Sequence, residues 1–158
     1  MRLTQDNLGF LLAKASQRWN ELLTAEFAAS GFPEVRAAYG SLLVPLFEEE
    51  GLRQGELARR ARLSKQTLTT MARTLEADGL IERRADPSDA RATLIYLTPR
   101  ARRLRPVAER ILARLDEQVA AARGPGTRAA LVRSLRAIMD LDRTVESERP
   151  RRSGMLGR

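Results

Sequence analysis

Lys65, Gln66, Thr69, Thr70 and Arg73 recur at steps of one and three, a spacing that gathers them on one side of a helix. Their chemistry suits the edge of a polyanion. Gln can bond adenine, Arg can bond guanine, and Thr can meet a thymine methyl or a phosphate. Lys65, at the start of that helix, favours phosphate. Just downstream, "ADPSDAR" (85–91) has the composition of a turn. Asp89 and Arg91 lie two apart, so the carboxylate is expected to hold the guanidinium as it reaches toward a narrow minor groove.

Other chemistries have little to work with. The chain has no Cys and no His, which removes disulfides, thiol redox sensing, thiolate or imidazole metal sites and every nucleophile–His arrangement. Its ten glycines are dispersed, and none falls in a phosphate-loop or dinucleotide-binding spacing. Glu48, Glu49 and Glu50 form the only tight acidic cluster, but three successive residues on a helix point in different directions and make a poor catalytic pair. The reading is of a protein that is not an enzyme, with no cofactor and no metal.

The elements that must position these groups follow from periodicity. Apolar residues at Leu8, Leu11, Leu12, Ala15, Trp19, Leu22, Leu23 and Phe27 predict a helix over about 5–29, stopped by Gly31. Pro33 is expected at the first position of a second helix carrying Val35, Tyr39, Leu42, Leu43 and Leu46, with Pro45 bending it or ending it near Leu43 or Val44. A short third helix in "RQGELARRARL" turns Leu57, Ala58 and Ala61 inward. Ser64 suits an N-cap, Leu68, Met71, Ala72 and Leu75 form the next buried stripe, and Gly79 suits the left-handed position after it. "LIERR" and "ATLIYL" then read as the arms of a hairpin with a wet, charged tip. Thr98 caps a long helix bearing Leu104, Ala108, Ile111, Leu115, Val119 and Ala122, with a bend at Pro106. "GPG" at 124–126 ends it, and Thr127 caps a last helix with Leu131, Leu135, Ile138, Leu141 and Val145 inward.

Composition agrees with a polyanionic partner. Twenty-eight Lys and Arg against twenty Asp and Glu give +8, and 26 of the 28 are Arg, with a pI near 11.2. Nucleic acid is the first candidate and an anionic membrane surface the second. The longest unbroken apolar stretch, "LLVPLF" (42–47), is far too short to span a bilayer, and the N-terminus has no charged-then-apolar leader. A cytoplasmic protein is expected. The polar segment 146–158 is expected to be disordered.

Two short helices joined by a tight turn and followed by a hairpin match a helix-turn-helix with a wing. The chain resembles the MarR-type winged helix-turn-helix regulators over about residues 33–115. The resemblance rests on Leu57-Ala58, Ser64-Lys65-Gln66, Leu75-Glu76 with Gly79-Leu80, Arg83, the "DPSDAR" wing and Leu97-Thr98. It implies a mainly α (α+β) fold: three N-terminal helices, a recognition helix at 64–78, a β-hairpin wing at 84–92 and two long C-terminal helices. One domain of 1–145 is then expected, its winged helix at about 33–98 and its dimerisation helices at about 5–29 and 99–145. The implied activity is that of a homodimeric regulator, a repressor, bound to a near-palindrome in double-stranded DNA. Ser64, Lys65, Gln66, Thr69, Thr70 and Arg73 would enter the major groove, and Arg84, Asp89 and Arg91 would serve the wing. Relatives also suggest release by a small aromatic or anionic effector, for which Trp19, Tyr39 and Phe47 are the candidate residues. The alternative is an architectural or nonspecific DNA-binding protein. Two departures from the family pattern stand near the site. Arg53 replaces a capping Thr or Ser, worth about 1 kcal/mol, and Arg62 replaces a turn Gly; neither is expected to touch the DNA face.

Overall fold

In a computed structural model, the structure describes residues 4–141. Helix α1 (Leu8–Ala29) begins where Asn7 Oδ1 accepts from the backbone N–H groups of Gly9 and Phe10, and ends at Gly31, whose φ is +86°. The chain does not re-enter a helix at Pro33. Val35 N–H bonds Phe32 C=O at 3.1 Å, so Pro33 is the second residue of a β-turn, a place that its fixed φ suits. The turn buries Phe32 and Val35. A 3-10 turn (Ala37–Tyr39) then leads into α2 (Gly40–Glu48). Pro45 lies inside α2 without ending it at Leu43 or Val44. Only the bond to Ser41 C=O is forfeited, and Ser41 is exposed, while Leu42, Leu43 and Leu46 are all buried by continuing.

A two-residue strand that periodicity cannot show, β1 (Leu52–Arg53), precedes α3 (Gln54–Arg60). Arg62, at φ +53°, makes the turn into α4 (Lys65–Ala77), so the Cβ-bearing residue does occupy the left-handed conformation. The hairpin is β2 (Ile81–Asp86) and β3 (Asp89–Leu97), and the antiparallel sheet runs β1-β3-β2. Ile81 faces Leu97, Arg83 faces Ile95, and Leu52 also pairs with Ile95. Helix α5 (Pro99–Arg123) runs through Pro106 unbroken, and α6 (Thr127–Met139) follows. Thr127 is not the cap of α6. Gly126, at φ +88°, takes that position, and the Thr127 hydroxyl donates back to Gly124 C=O.

The chain divides into two compact units, 1–115 and 116–158, the division falling inside α5. The first holds the whole buried core, including Leu42, Leu46, Leu57, Leu68, Leu75, Leu80, Ile95 and Leu104. Its N-terminal end is less covered than the stripe of α1 suggests: Leu23 and Phe27 are buried, Trp19 and Leu22 partly so, and Leu8 and Leu11 are 60% and 47% exposed. In the second unit no described residue is buried, and Leu131, Leu135 and Leu141 lie exposed where an inward stripe was expected. Val145 and the 146–158 tail lie outside the described residues.

Candidate nucleic-acid interface

Helix α4 presents its groups as the apolar stripe demands. Leu68, Ala72 and Leu75 are fully buried, which leaves Lys65, Gln66, Thr70 and Arg73 exposed and Thr69 half-buried. Ser64 caps the helix: its Oγ accepts from Thr67 N–H at 3.1 Å and lies 2.8 Å from Thr67 Oγ1. The C-terminal end is pinned from three sides. Tyr39 Oη donates to Asp78 Oδ2 at 2.6 Å, Thr98 Oγ1 donates to Gly79 C=O at 2.6 Å, and Leu80 N–H bonds Leu75 C=O. Thr98 also accepts from Ala101 N–H, capping α5 as expected.

The face is selective in what it leaves unspent. Among the described residues, the side chains of Lys65, Gln66 and Arg73 make no hydrogen bond or ion pair within the chain. The threonines differ. Thr69 Oγ1 donates to Lys65 C=O at 2.8 Å and accepts from Gln54 Nε2 at 2.5 Å. Thr70 Oγ1 donates to Gln66 C=O. Gln54, the first residue of α3, was not foreseen; the contact joins residues 15 apart, and no local pattern announces it.

The wing is built differently from the expected Asp89–Arg91 pair. Asp89 Oδ1 accepts from the backbone N–H of Arg91 at 3.1 Å, and its other oxygen lies 3.9 Å from Arg53 Nη1. The Arg91 side chain is exposed and makes no ion pair among the described residues. Nor is the tip simply wet. Strands β2 and β3 run to Asp86 and Asp89, with a bulge between Ala85 and Asp86, and the Asp86 carboxylate is buried. One oxygen accepts from Ser88 N–H and Oγ, the other from Arg53 Nε and Nη2 at 2.9 and 2.6 Å. The Ser88 hydrogen bonds first, then Arg53, hold the Asp86 carboxyl at about 2. Arg53 therefore does reach the wing. It makes no side-chain cap to α3, and its charge is spent across the sheet instead.

Arg84 is tethered too: it pairs with Glu82, and its guanidinium lies 4.5 Å from the centre of the Tyr96 ring. At the base of the wing, Glu50 accepts from Arg102 and from Leu97 N–H, and these bonds, Arg102 foremost, keep its carboxyl below the usual range.

The three aromatic candidates for an effector are placed unequally. Tyr39 is a core residue, 4% exposed, with its hydroxyl committed to Asp78. Burial, then Asp78, raises that phenol to about 12. Trp19 and Phe47 are half-buried against the same core. Arg105 lies 5.9 Å from the Phe47 ring and donates to Phe47 C=O. A shallow concavity on α1 is lined by Gln17, Asn20, Glu21, Thr24, Ala25 and Ala28, none of them among the candidates.

The MarR family model matches residues 39–93, the stretch from Tyr39 through the wing. The HTH-type transcriptional repressor Mb2911 of Mycobacterium bovis is 36% identical over 98 residues, covering 56% of this chain and 70% of that protein. The chain belongs to the MarR family. Another relative, an HTH-type transcriptional regulator of Methylorubrum extorquens, is 41% identical over 64 residues, but the match spans only 33% of its length. Among solved structures, the transcriptional repressor CouR bound to a 23-mer DNA duplex superposes with a TM-score of 0.72 at 27% identity, covering 88% of this chain and 99% of that one. BpsR of Bordetella bronchiseptica, described for regulation of its DNA binding by 6-hydroxynicotinic acid, gives 0.70 at 25% identity over 90% and 99% of the two chains. The chain is thus a DNA-binding transcriptional regulator with the MarR winged helix-turn-helix fold, and not an enzyme. No helix among the described residues is long and apolar enough to cross a membrane, and no group of three acidic residues there is placed to hold a metal ion.

Proposed function

We propose that this MarR-family chain is a homodimeric repressor that reads a near-palindromic operator. Gln66 and Arg73 would address base edges in the major groove, Lys65 a phosphate, and Arg91 the adjoining minor groove. The observation that carries this reading is the pattern of commitment: the donors on α4 and at Arg91 are unspent, while neighbouring Arg53 and Arg84 are tied up inside the chain. Ser64, Thr70, Arg84 and Asp89 then serve the interface by capping, shaping or bracing it, and Thr69 lies on the same face between Gln66 and Arg73.

Dimerisation is supported by exposed apolar side chains at both ends of the chain, Leu8, Phe10 and Leu11 in α1, and Leu131 and Leu135 in α6. Repression is supported by the similarity to Mb2911 and CouR, both transcriptional repressors. Release by a small aromatic acid is supported by BpsR, whose DNA binding is regulated by 6-hydroxynicotinic acid, and by the half-buried Trp19 and Phe47 with Arg105 beside the latter. The domain boundaries 1–145 stand as part of the same proposal.

A gel shift with the full chain against its own upstream region tests the reading. Gln66→Ala/Arg73→Ala and Arg91→Ala should each weaken specific binding at least ~tenfold with unchanged circular dichroism. Unchanged affinity in both, or binding that falls with salt but ignores sequence, would replace it with an architectural role.

A further inference from the structure

Threonine can meet DNA through its hydroxyl or through its methyl, and the two choices read different features: a phosphate or a polar base edge in the first case, the thymine C5 methyl in the second. At Thr69 the structure has already used the hydroxyl. Its proton goes to Lys65 C=O at 2.8 Å, and the Gln54 amide occupies its oxygen at 2.5 Å. A hydroxyl so engaged has no proton left for a phosphate oxygen or a base acceptor without breaking a bond inside the protein. Thr70 repeats the first half of the pattern, donating to Gln66 C=O. Back-bonding to the preceding turn is open to any helical threonine. The second bond from a separate helix is what fixes the Thr69 rotamer, since χ1 of a β-branched residue has few alternatives.

We infer that Thr69 is a specificity-determining residue that reads a thymine by its methyl group, with Gln54 as the positioning residue that holds the hydroxyl turned away. This rests on the major-groove placement of α4 proposed above. It makes the parts of the recognition face complementary: Gln66 and Arg73 offer donors to purine edges, and the half-buried residue between them offers an apolar contact to a pyrimidine. Gln54 acts on DNA only through Thr69 in this scheme.

The test uses the full chain and a duplex selected from a random pool by the chain itself. Each thymidine of the selected site is replaced singly by deoxyuridine, which keeps the pairing edge and removes only the methyl. One position in each half-site should lose about fourfold in affinity, the value of one buried methyl. Thr69→Ser, which keeps the hydroxyl, should lose a similar factor on the thymidine duplex and become insensitive to uridine at that position. Thr69→Val, which keeps the methyl and puts a second in place of the hydroxyl, should bind within about twofold of wild type and remain uridine-sensitive. Gln54→Ala should blunt the uridine effect while leaving the salt dependence unchanged, because no phosphate contact is lost. A flat uridine scan on a strongly selected sequence, or Thr69→Val losing as much as Thr69→Ser, overturns the inference. A pool that yields no preferred sequence overturns the proposed function itself, and the inference with it.

Discussion

Replacing Tyr39 by Phe isolates the link between the 3-10 turn before α2 and the end of the recognition helix. The phenol donates to Asp78 at 2.6 Å, and Asp78 is the residue on which α4 ends. Hydrogen bonds to charged acceptors contribute about 1.5–3 kcal/mol, but Asp78 is half-exposed and can rehydrate, so a loss of about 1 kcal/mol at neutral pH is expected. That corresponds to about 3 °C in Tm for a chain of this size. The alkaline limb gives a sharper signature. Burial, with Asp78 second, raises the phenol from 10.0 to about 12. A folded-state pKa above the unfolded one means that the contribution is complete below the unfolded value, near 10, and disappears as pH rises through the folded value, near 12. Its ceiling over that window is about 2.7 kcal/mol. Thermal melts of both proteins from neutral to strongly alkaline pH, with phenolate absorbance followed in parallel, check this. The difference in stability between wild type and variant should be constant up to the lower limit, then fall across the window and pass through zero, because the Phe variant has no phenol to titrate. Equal melting temperatures at neutral pH together with identical alkaline limbs would refute the link.

Asp86→Asn should lower stability at neutral pH, and its deficit should vanish in acid. The folded carboxyl titrates at about 2 against an ordinary 3.8, so its contribution is present above the ordinary value and lost as pH falls through the folded one; acid titration by circular dichroism reads this. Gly51→Ala should destabilise by about 1–2 kcal/mol in urea melts, because Gly51 sits at φ +74° and an added Cβ would meet the Tyr96 hydroxyl at 2.8 Å. Leu135→Glu should yield monomers in sedimentation and lose operator binding, because α6 buries no residue within its own chain.

The recognition helix was legible because one fully buried stripe, Leu68, Ala72 and Leu75, with Met71 packed beside it, leaves Lys65, Gln66, Thr70 and Arg73 on the exposed side of α4. The hairpin and the long helices were legible for the same reason of periodicity. What failed were contacts to distant partners, and local positions where one residue type serves two roles. Two residues at β1 carry no period, yet they place Arg53 where it reaches Asp86, 33 positions away. Asp89 and Arg91 were paired because they are near in sequence, but the backbone N–H of Arg91 was the nearer donor and Arg53 the competing cation. Tyr39 had the look of a ligand-binding aromatic until its hydroxyl found Asp78. Pro33 and Thr127 were each read one role too far, since proline suits a β-turn as well as a helix start, and a threonine hydroxyl can donate as well as accept.

Net charge is the least direct of these signals, and a salt titration shows how much of it reaches DNA. Many arginines are internally matched: Arg59 and Arg60 to Glu56, Arg100 to Glu34, Arg102 to Glu50, Arg105 to Glu109. If binding used the overall +8 of each protomer, a dimer would neutralise phosphates in that proportion, and log K would fall against log salt with a slope of roughly −14. If only Lys65, Arg73 and Arg91 of each protomer engage, the ceiling is about six contacts and the slope about −5. Operator affinity measured across a range of salt should give the smaller value, and Lys65→Ala should flatten it by about two for the dimer, once per protomer. A slope near the larger value would mean that the paired arginines open on DNA, and that the commitment pattern seen in the free chain does not define its interface.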